Sequence, residues 1–97
     1  MSNSFLQLSR AKKEIVTAWD WYEDQRSGLG DKFKNEVRKK IGEIQENPLH
    51  YPLKGKYREA LTDVFPFLIV FRYDEKRKLI IIVSVFHTSR NPKKKSR

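Results

Sequence analysis

Apolar positions recur every three to four residues in two stretches near the start of the chain. In the first, Ala11, Ile15, Ala18, Trp19 and Tyr22 gather on one side of a helix, with Ser9 placed to cap it. Gly28-Leu29-Gly30 should end that helix and make a tight connection. In the second, Phe33, Val37, Ile41 and Ile44 line a helix that Asp31 can cap and Asn47-Pro48 stops. Two amphipathic helices on so short a link form an antiparallel hairpin.

After a loop holding His50, Tyr51, Pro52 and Gly55, the period changes. Residues 57–62, 64–73 and 79–86 are rich in β-branched and aromatic side chains, and residues 74–78 form a polar turn between the last two runs. Pro66 donates no backbone hydrogen bond, so it belongs at a strand start or a bulge. Phe5, Leu6 and Leu8 suggest a short first strand. The order is β-α-α-β-β-β, an α+β fold whose helical hairpin packs on one face of a small, mainly antiparallel sheet.

Strict alternation puts Phe65, Phe67, Ile69 and Phe71 on one face, and Val64, Leu68 and Val70 on the other with Arg72 beside them. In the last strand it sets Leu79, Ile81, Val83 and Val85 against Ile80, Ile82 and Phe86. Both faces are therefore apolar, while one helical hairpin covers only one. The uncovered face is a patch of the kind that takes a protein partner. Trp21, on the flank of the first helix stripe, is expected to stay partly exposed, either half-buried against the helix or as an aromatic of the type that anchors such a partner.

Composition sharpens this reading. The 97 residues form one domain over 1–90, followed by a basic tail over 91–97. With no cysteine, the core rests on six Phe, four Tyr and two Trp together with the aliphatic runs, and a reducing compartment fits. The start of the chain lacks a leader pattern, and the apolar run over 64–71 is far too short to cross a bilayer, so a cytoplasmic protein without membrane attachment is expected. The formal net charge of +9 suits an anionic partner.

Few side chains offer chemistry. Arg58, Arg72, His87 and Arg90 interrupt or flank the apolar strands and could grip an anionic target, although Arg58 could instead pair with Glu59, Asp63 or Asp74. Asp20, Glu23 and Asp24 share one helical turn, a common spacing on an exposed face, and His50 and His87 lack cysteine or clustered carboxylate neighbours. No metal and no small-molecule cofactor is expected.

Read in order, several segments resemble the RelE/ParE superfamily of toxins from type II toxin–antitoxin systems. They are Ala18-Trp-Asp-Trp-Tyr-Glu-Asp-Gln25, Gly28-Leu-Gly-Asp-Lys-Phe33, Asn47-Pro-Leu-His-Tyr-Pro52, Tyr57-Arg58 with Val64-Phe-Pro-Phe67, and Val85-Phe-His-Thr-Ser-Arg-Asn-Pro92. The resemblance runs from about Ala11 to Pro92 and implies the same β-α-α-β-β-β fold. It also implies a cognate antitoxin that folds onto the toxin, for which Trp21, Leu68 and Val70 are the expected contacts. Two activities are open. RelE-like members cleave mRNA on the ribosome, and ParE-like members poison DNA gyrase without catalysis of their own.

For cleavage, the resemblance would make Arg58, His87 and Arg90 the catalytic candidates: Arg58 on the scissile phosphate, His87 as acid or base. This chain departs from the nucleases in having no aromatic after Phe86 and Thr88 where an arginine would fall. Its His-x-x-Arg-Asn ending resembles that of ParE-like members, which makes Arg58, Arg72, His87 and Arg90 target-binding residues and gyrase the expected target. A ribosome-dependent mRNA endoribonuclease and a non-toxic antitoxin-binding homologue are the alternatives, beside a nucleic-acid-binding module that would use the basic second helix and tail.

Overall fold

Side-chain burial explains the layering directly. Ala11, Ile15, Phe33, Val37, Ile41 and Ile44 bury the inner stripes of two helices against Ile69, Phe71, Ile80, Ile82 and Val85 of a sheet. The computed structural model describes residues 3–90, the side chain of Arg90 excepted, so the expected tail over 91–97 lies outside them. Strand β1 (Ser4–Gln7) leads into helix α1 (Ser9–Gln25) and helix α2 (Leu29–Glu46). A 3-10 turn (Pro48–His50) precedes β2 (Leu53–Lys54), β3 (Tyr57–Leu61), β4 (Phe67–Asp74) and β5 (Leu79–His87), and a second 3-10 turn (Thr88–Arg90) follows. The sheet order is β1-β5-β4-β3-β2, with only β1 and β5 parallel.

The expected architecture is present, with one strand more. The stretch read as loop contains β2, two residues long, paired with β3. The helix boundaries also differ from expectation. Leu8, not Ser9, precedes α1, and neither helix start has a side-chain cap. Helix α2 begins at Leu29, before Asp31. Gly28 enters with φ of +89°, in the region open to glycine, and Glu23 of α1 accepts the Gly28 and Gly30 N–H groups at 2.9 and 3.0 Å. Asp31 instead accepts the Trp19 indole N–H at 3.0 Å. A Cβ on Gly30 would lie 2.7 Å from the Trp19 carbonyl oxygen, so the hairpin can close this tightly only with glycine there.

Residues 64–66 are not strand. Pro66 supplies no ladder donor, and the buried Thr62 hydroxyl bonds the Phe65 carbonyl to close the turn before β4. Phe65 nevertheless stays in the core. Its ring meets Tyr22 at 4.8 Å and Phe33 at 5.7 Å, and Phe33 meets Phe67 at 4.7 Å, which locks both helices to the start of β4. Each such ring contributes about 1.5–3 kcal/mol by burial.

Alternation holds along β4, where Phe67, Ile69 and Phe71 are buried and Leu68 and Val70 face the other side. Along β5 it breaks. Val70 sits opposite Ser84 and Phe71 opposite Ile82, which leaves Val83 as an extra residue. Val85 therefore joins Ile80 and Ile82 beneath the helices. Phe86 pairs with Leu68 on the open face, the reverse of the strict-alternation expectation for both residues.

Candidate functional site

The bulge determines what stands at the end of β5. Past it, Val85 and His87 share the helix side of the sheet, and His87 sets its ring edge-on to Phe67 at 5.3 Å. Helix α1 crosses beside this end of the strand. Between them lies a groove of about 720 Å³, with Arg10, Lys13, Glu14 and Trp21 on the helix wall and Phe86, His87 and Ser89 on the strand wall. Trp21 is 56 % exposed, held edge-on to Tyr22 at 5.1 Å. Burial lifts the Tyr22 phenol above its ordinary value of 10.0, so it stays neutral beneath the groove.

Glu14 organises the groove. Phe67 gives its carbonyl to the Thr62 N–H and its own N–H to the Phe65 carbonyl, at 2.9 and 2.8 Å. Phe67 and His87 therefore face each other without exchanging main-chain bonds, and the main-chain groups of Val85 and His87 point away from β4. On that side β1 ends at Gln7, opposite Ile82. The Glu14 carboxylate takes the place of the missing strand. One oxygen accepts both the Val85 N–H and the Ser84 hydroxyl at 2.8 Å, and the other faces Arg10 Nε at 3.4 Å.

His87 is fixed as well. Its Nδ1 accepts the Ser89 N–H at 3.0 Å and lies 2.7 Å from the Ser89 hydroxyl, so the neutral ring carries its proton on Nε2. Arg58 is on the same side of the sheet but elsewhere. It stands opposite Phe71, whereas His87 stands opposite Phe67, a separation of four ladder steps and two strand spacings, roughly 16 Å. Its guanidinium donates to the Tyr51 carbonyl at 2.7 Å. Arg72 is exposed on the opposite face, across from Ile81, and the Arg90 side chain lies outside the described residues. The structure thus brings together none of the three candidates whose side chains it describes, Arg58, Arg72 and His87.

Leu68 and Val70 lie half-buried on the open face, where Leu68 forms an apolar row with Leu61 and Phe86. Trp21 is on the helix layer, so the three expected partner contacts occupy two surfaces. Sequence reasoning missed Arg10, Lys13, Glu14 and Ser89. Glu14 left a signal: it sits three residues after Ala11 and four before Ala18, on the apolar side of α1 where a carboxylate has no business without a partner. Among the described residues no cluster of histidine and carboxylate side chains could hold a metal ion, and no helix is long and apolar enough to cross a membrane.

Residues 6–92 match the model of the ParE toxin of the type II toxin–antitoxin system parDE. The chain belongs to the ParE toxin family. Its fold is also that of several solved structures. A chain of the chromosomal ParDE system from P. aeruginosa superposes with a TM-score of 0.76 at 15 % identity, covering 89 % of this chain and 96 % of that one. A chain of the intact E. coli RelBE toxin–antitoxin complex gives 0.66 at 17 % identity, covering 92 % and 100 %. The isolated E. coli RelE toxin gives 0.66 at 16 %, covering 98 % and 94 %. No curated protein sequence matches at a significant level. At these identities the superpositions speak for the fold alone.

Proposed function

We propose that this ParE-family toxin arrests growth by poisoning DNA gyrase and is neutralised by a cognate antitoxin. The observation that supports a gyrase poison over a nuclease is the separation of Arg58 from His87. Cleavage by 2′-hydroxyl attack needs a cation on the phosphorane and a proton-transfer group at the same phosphate. Here the arginine is committed to a main-chain carbonyl roughly 16 Å along the sheet from the histidine. The groove beside α1 suits recognition instead. It places Trp21 and the His87 ring near Arg10 and Lys13, an aromatic and cationic set that can engage an acidic surface of a protein target. In this reading Arg58 and Arg90 serve a target that extends beyond the groove, and Arg72, on the opposite face, lies outside that contact. The antitoxin covers the open face at Leu68 and Val70 and reaches round to Trp21. The protein works in the cytoplasm.

Incubation with gyrase, ATP and supercoiled plasmid tests the target. Protein-linked linear DNA should accumulate, and Trp21→Ala should reduce it about tenfold or more. A chain that arrests growth, leaves gyrase products unchanged and cuts mRNA in a ribosome-programmed reaction would replace this reading with the RelE-like one. A folded chain that binds antitoxin without arresting growth would make it a non-toxic homologue.

A further inference from the structure

A second groove, of about 450 Å³, flanks the other side of α1 and has no part in the site above. Its floor is apolar, with Phe5 44 % and Val16 59 % exposed. Lys12 of α1 and Lys34 and Arg38 of α2 stand around it, all exposed, and none has a carboxylate partner among the described residues. No acidic side chain lines it. By contrast Arg10, Lys39, Lys40, Lys54 and Arg77 each lie within 3.7 Å of a carboxylate.

The arrangement of these groups narrows what the groove can hold. Lys34 and Arg38 are one helical turn apart, about 6 Å along the axis, so a polymer charged at every step meets both. Ser4 and Leu8 donate to the Lys78 and Ile82 carbonyls of the β5 side at 3.0 Å each, so the main-chain groups of Phe5 and Gln7 point outward. They have no partner among the described residues and add uncharged donors along the groove.

We propose that this groove binds single-stranded DNA. An unpaired base stacks on Phe5, and the flanking phosphates meet Lys12, Lys34 and Arg38, with the outward N–H groups of Phe5 and Gln7 as further donors to phosphate oxygens. Ring and cations are both needed to choose this occupant. Duplex DNA would satisfy the cations but keeps its bases stacked on one another, away from Phe5. A run of carboxylates would also satisfy the cations and leave the Phe5 ring without a base. RNA adds a 2′-hydroxyl to every sugar, and over an apolar floor with no carboxylate to accept it that hydroxyl loses water without gaining a partner. The inference stands on this groove alone and is independent of the choice of toxin target.

The test titrates the whole chain into a fluorescein-labelled oligodeoxyuridine of about twelve nucleotides and follows anisotropy. The strand should bind, with affinity falling as salt rises from about 0.05 to 0.5 M. The pair Lys34→Ala and Arg38→Ala should flatten the plot of log affinity against log salt by about 1.4, and Lys12→Ala by about 0.7. The pair Lys32→Ala and Lys56→Ala, which removes as much charge from residues that do not line the groove, should leave the slope unchanged. Phe5→Ala should weaken binding about tenfold at an unchanged slope, and Phe5→Trp should restore it.

Absence of binding at roughly 0.1 mM protein and low salt overturns the proposal. Equal flattening by the two cation pairs overturns it too, since net charge alone would then account for the affinity. So does a Phe5→Ala chain that binds like the parent. Tighter binding of the matching oligouridine would assign the groove to RNA, and tighter binding of a duplex of the same length would assign it to paired DNA. Equal competition by polyglutamate of that length would reduce it to a surface for any polyanion. The gyrase assay on the same variants reports separately, so either reading can fail while the other stands.

Discussion

The two flanks of α1 treat an open strand edge in opposite ways. On one flank β5 runs beyond the end of β1, and Glu14 places its carboxylate on the exposed Val85 N–H. On the other flank the outward groups of Phe5 and Gln7 have no such guard among the described residues, and the side chains nearby are cations around an apolar floor. A buried or half-buried carboxylate at a strand edge satisfies a donor and repels an incoming carbonyl, which closes the edge to further pairing. A bare edge beside an unfilled cleft remains open to it. One helix therefore separates a sealed edge from an available one.

The largest effect that can sharpen this contrast comes from two neighbouring proline substitutions. Leu6→Pro removes an N–H that lies on the β5 side of β1, and should cost about 3 kcal/mol in urea unfolding. Gln7→Pro changes a group that points outward and should stay within about 0.5 kcal/mol of the parent. Equal losses at both positions would mean that β1 is not an edge of the kind described. Next in size is Glu14→Ala, which leaves the Val85 N–H and the Ser84 hydroxyl without their acceptor. We expect a loss of about 2–3 kcal/mol, read from the urea midpoint at unchanged slope, with Glu14→Gln recovering more than half because an acceptor oxygen remains. A neutral Glu14→Ala would remove the guard from the account of β5.

The smallest effect is set by ion pairs away from either edge. Lys40 Nζ lies 2.8 Å from Glu43 Oε1 and 3.2 Å from Asp63 Oδ1, and Lys39 reaches Asp63 at 3.3 Å, tying α2 to the turn before β4. The hydrogen bond to Glu43, reinforced by Asp63, raises Lys40 above its ordinary 10.5. The hydrogen bonds from Lys40 and then Lys39 hold Asp63 below its ordinary 3.8. The contribution of Asp63 is thus complete above pH 3.8 and fades as pH falls through its lower folded value. That of Lys40 is complete below pH 10.5 and fades as pH rises through its higher folded value. Melting temperature should have a plateau between these limits, and Asp63→Asn should flatten the acid shoulder by less than the Glu14→Ala effect at neutral pH.

How much of this was legible in the chain depends on whether polarity marked the geometry. Helix spacing exposed both amphipathic stripes, and Pro66 and the polar turn over 74–78 punctuated the strands, so the α+β order and the helical hairpin could be read directly. The family resemblance, too, rested on segments visible without a structure. The bulge in β5 was hidden because both faces of the strand are apolar and strict alternation had no polar residue to contradict it except Ser84. Residue β2 pairing was hidden for a different reason: two residues are too few to establish a period. The grouping of candidate residues failed for a third reason, since Arg58, Arg72 and His87 are cationic or titratable in sequence, but only strand register tells that they lie on different faces and at different ends.

The extra residue in β5 also has a consequence for how this scaffold tolerates change in length. Because Val83 shifts the phase of every later position in the strand, it selects the side of the sheet on which His87 emerges. Loss of that one codon would remove the bulge yet leave Val85 and His87 on the helix side and Phe86 beside Leu68, because the extra residue itself accounts for the shift. A one-residue loss at the bulge thus leaves the groove's strand wall facing α1, whereas a one-residue deletion between the bulge and His87 would reverse the side on which His87 emerges unless a new bulge formed.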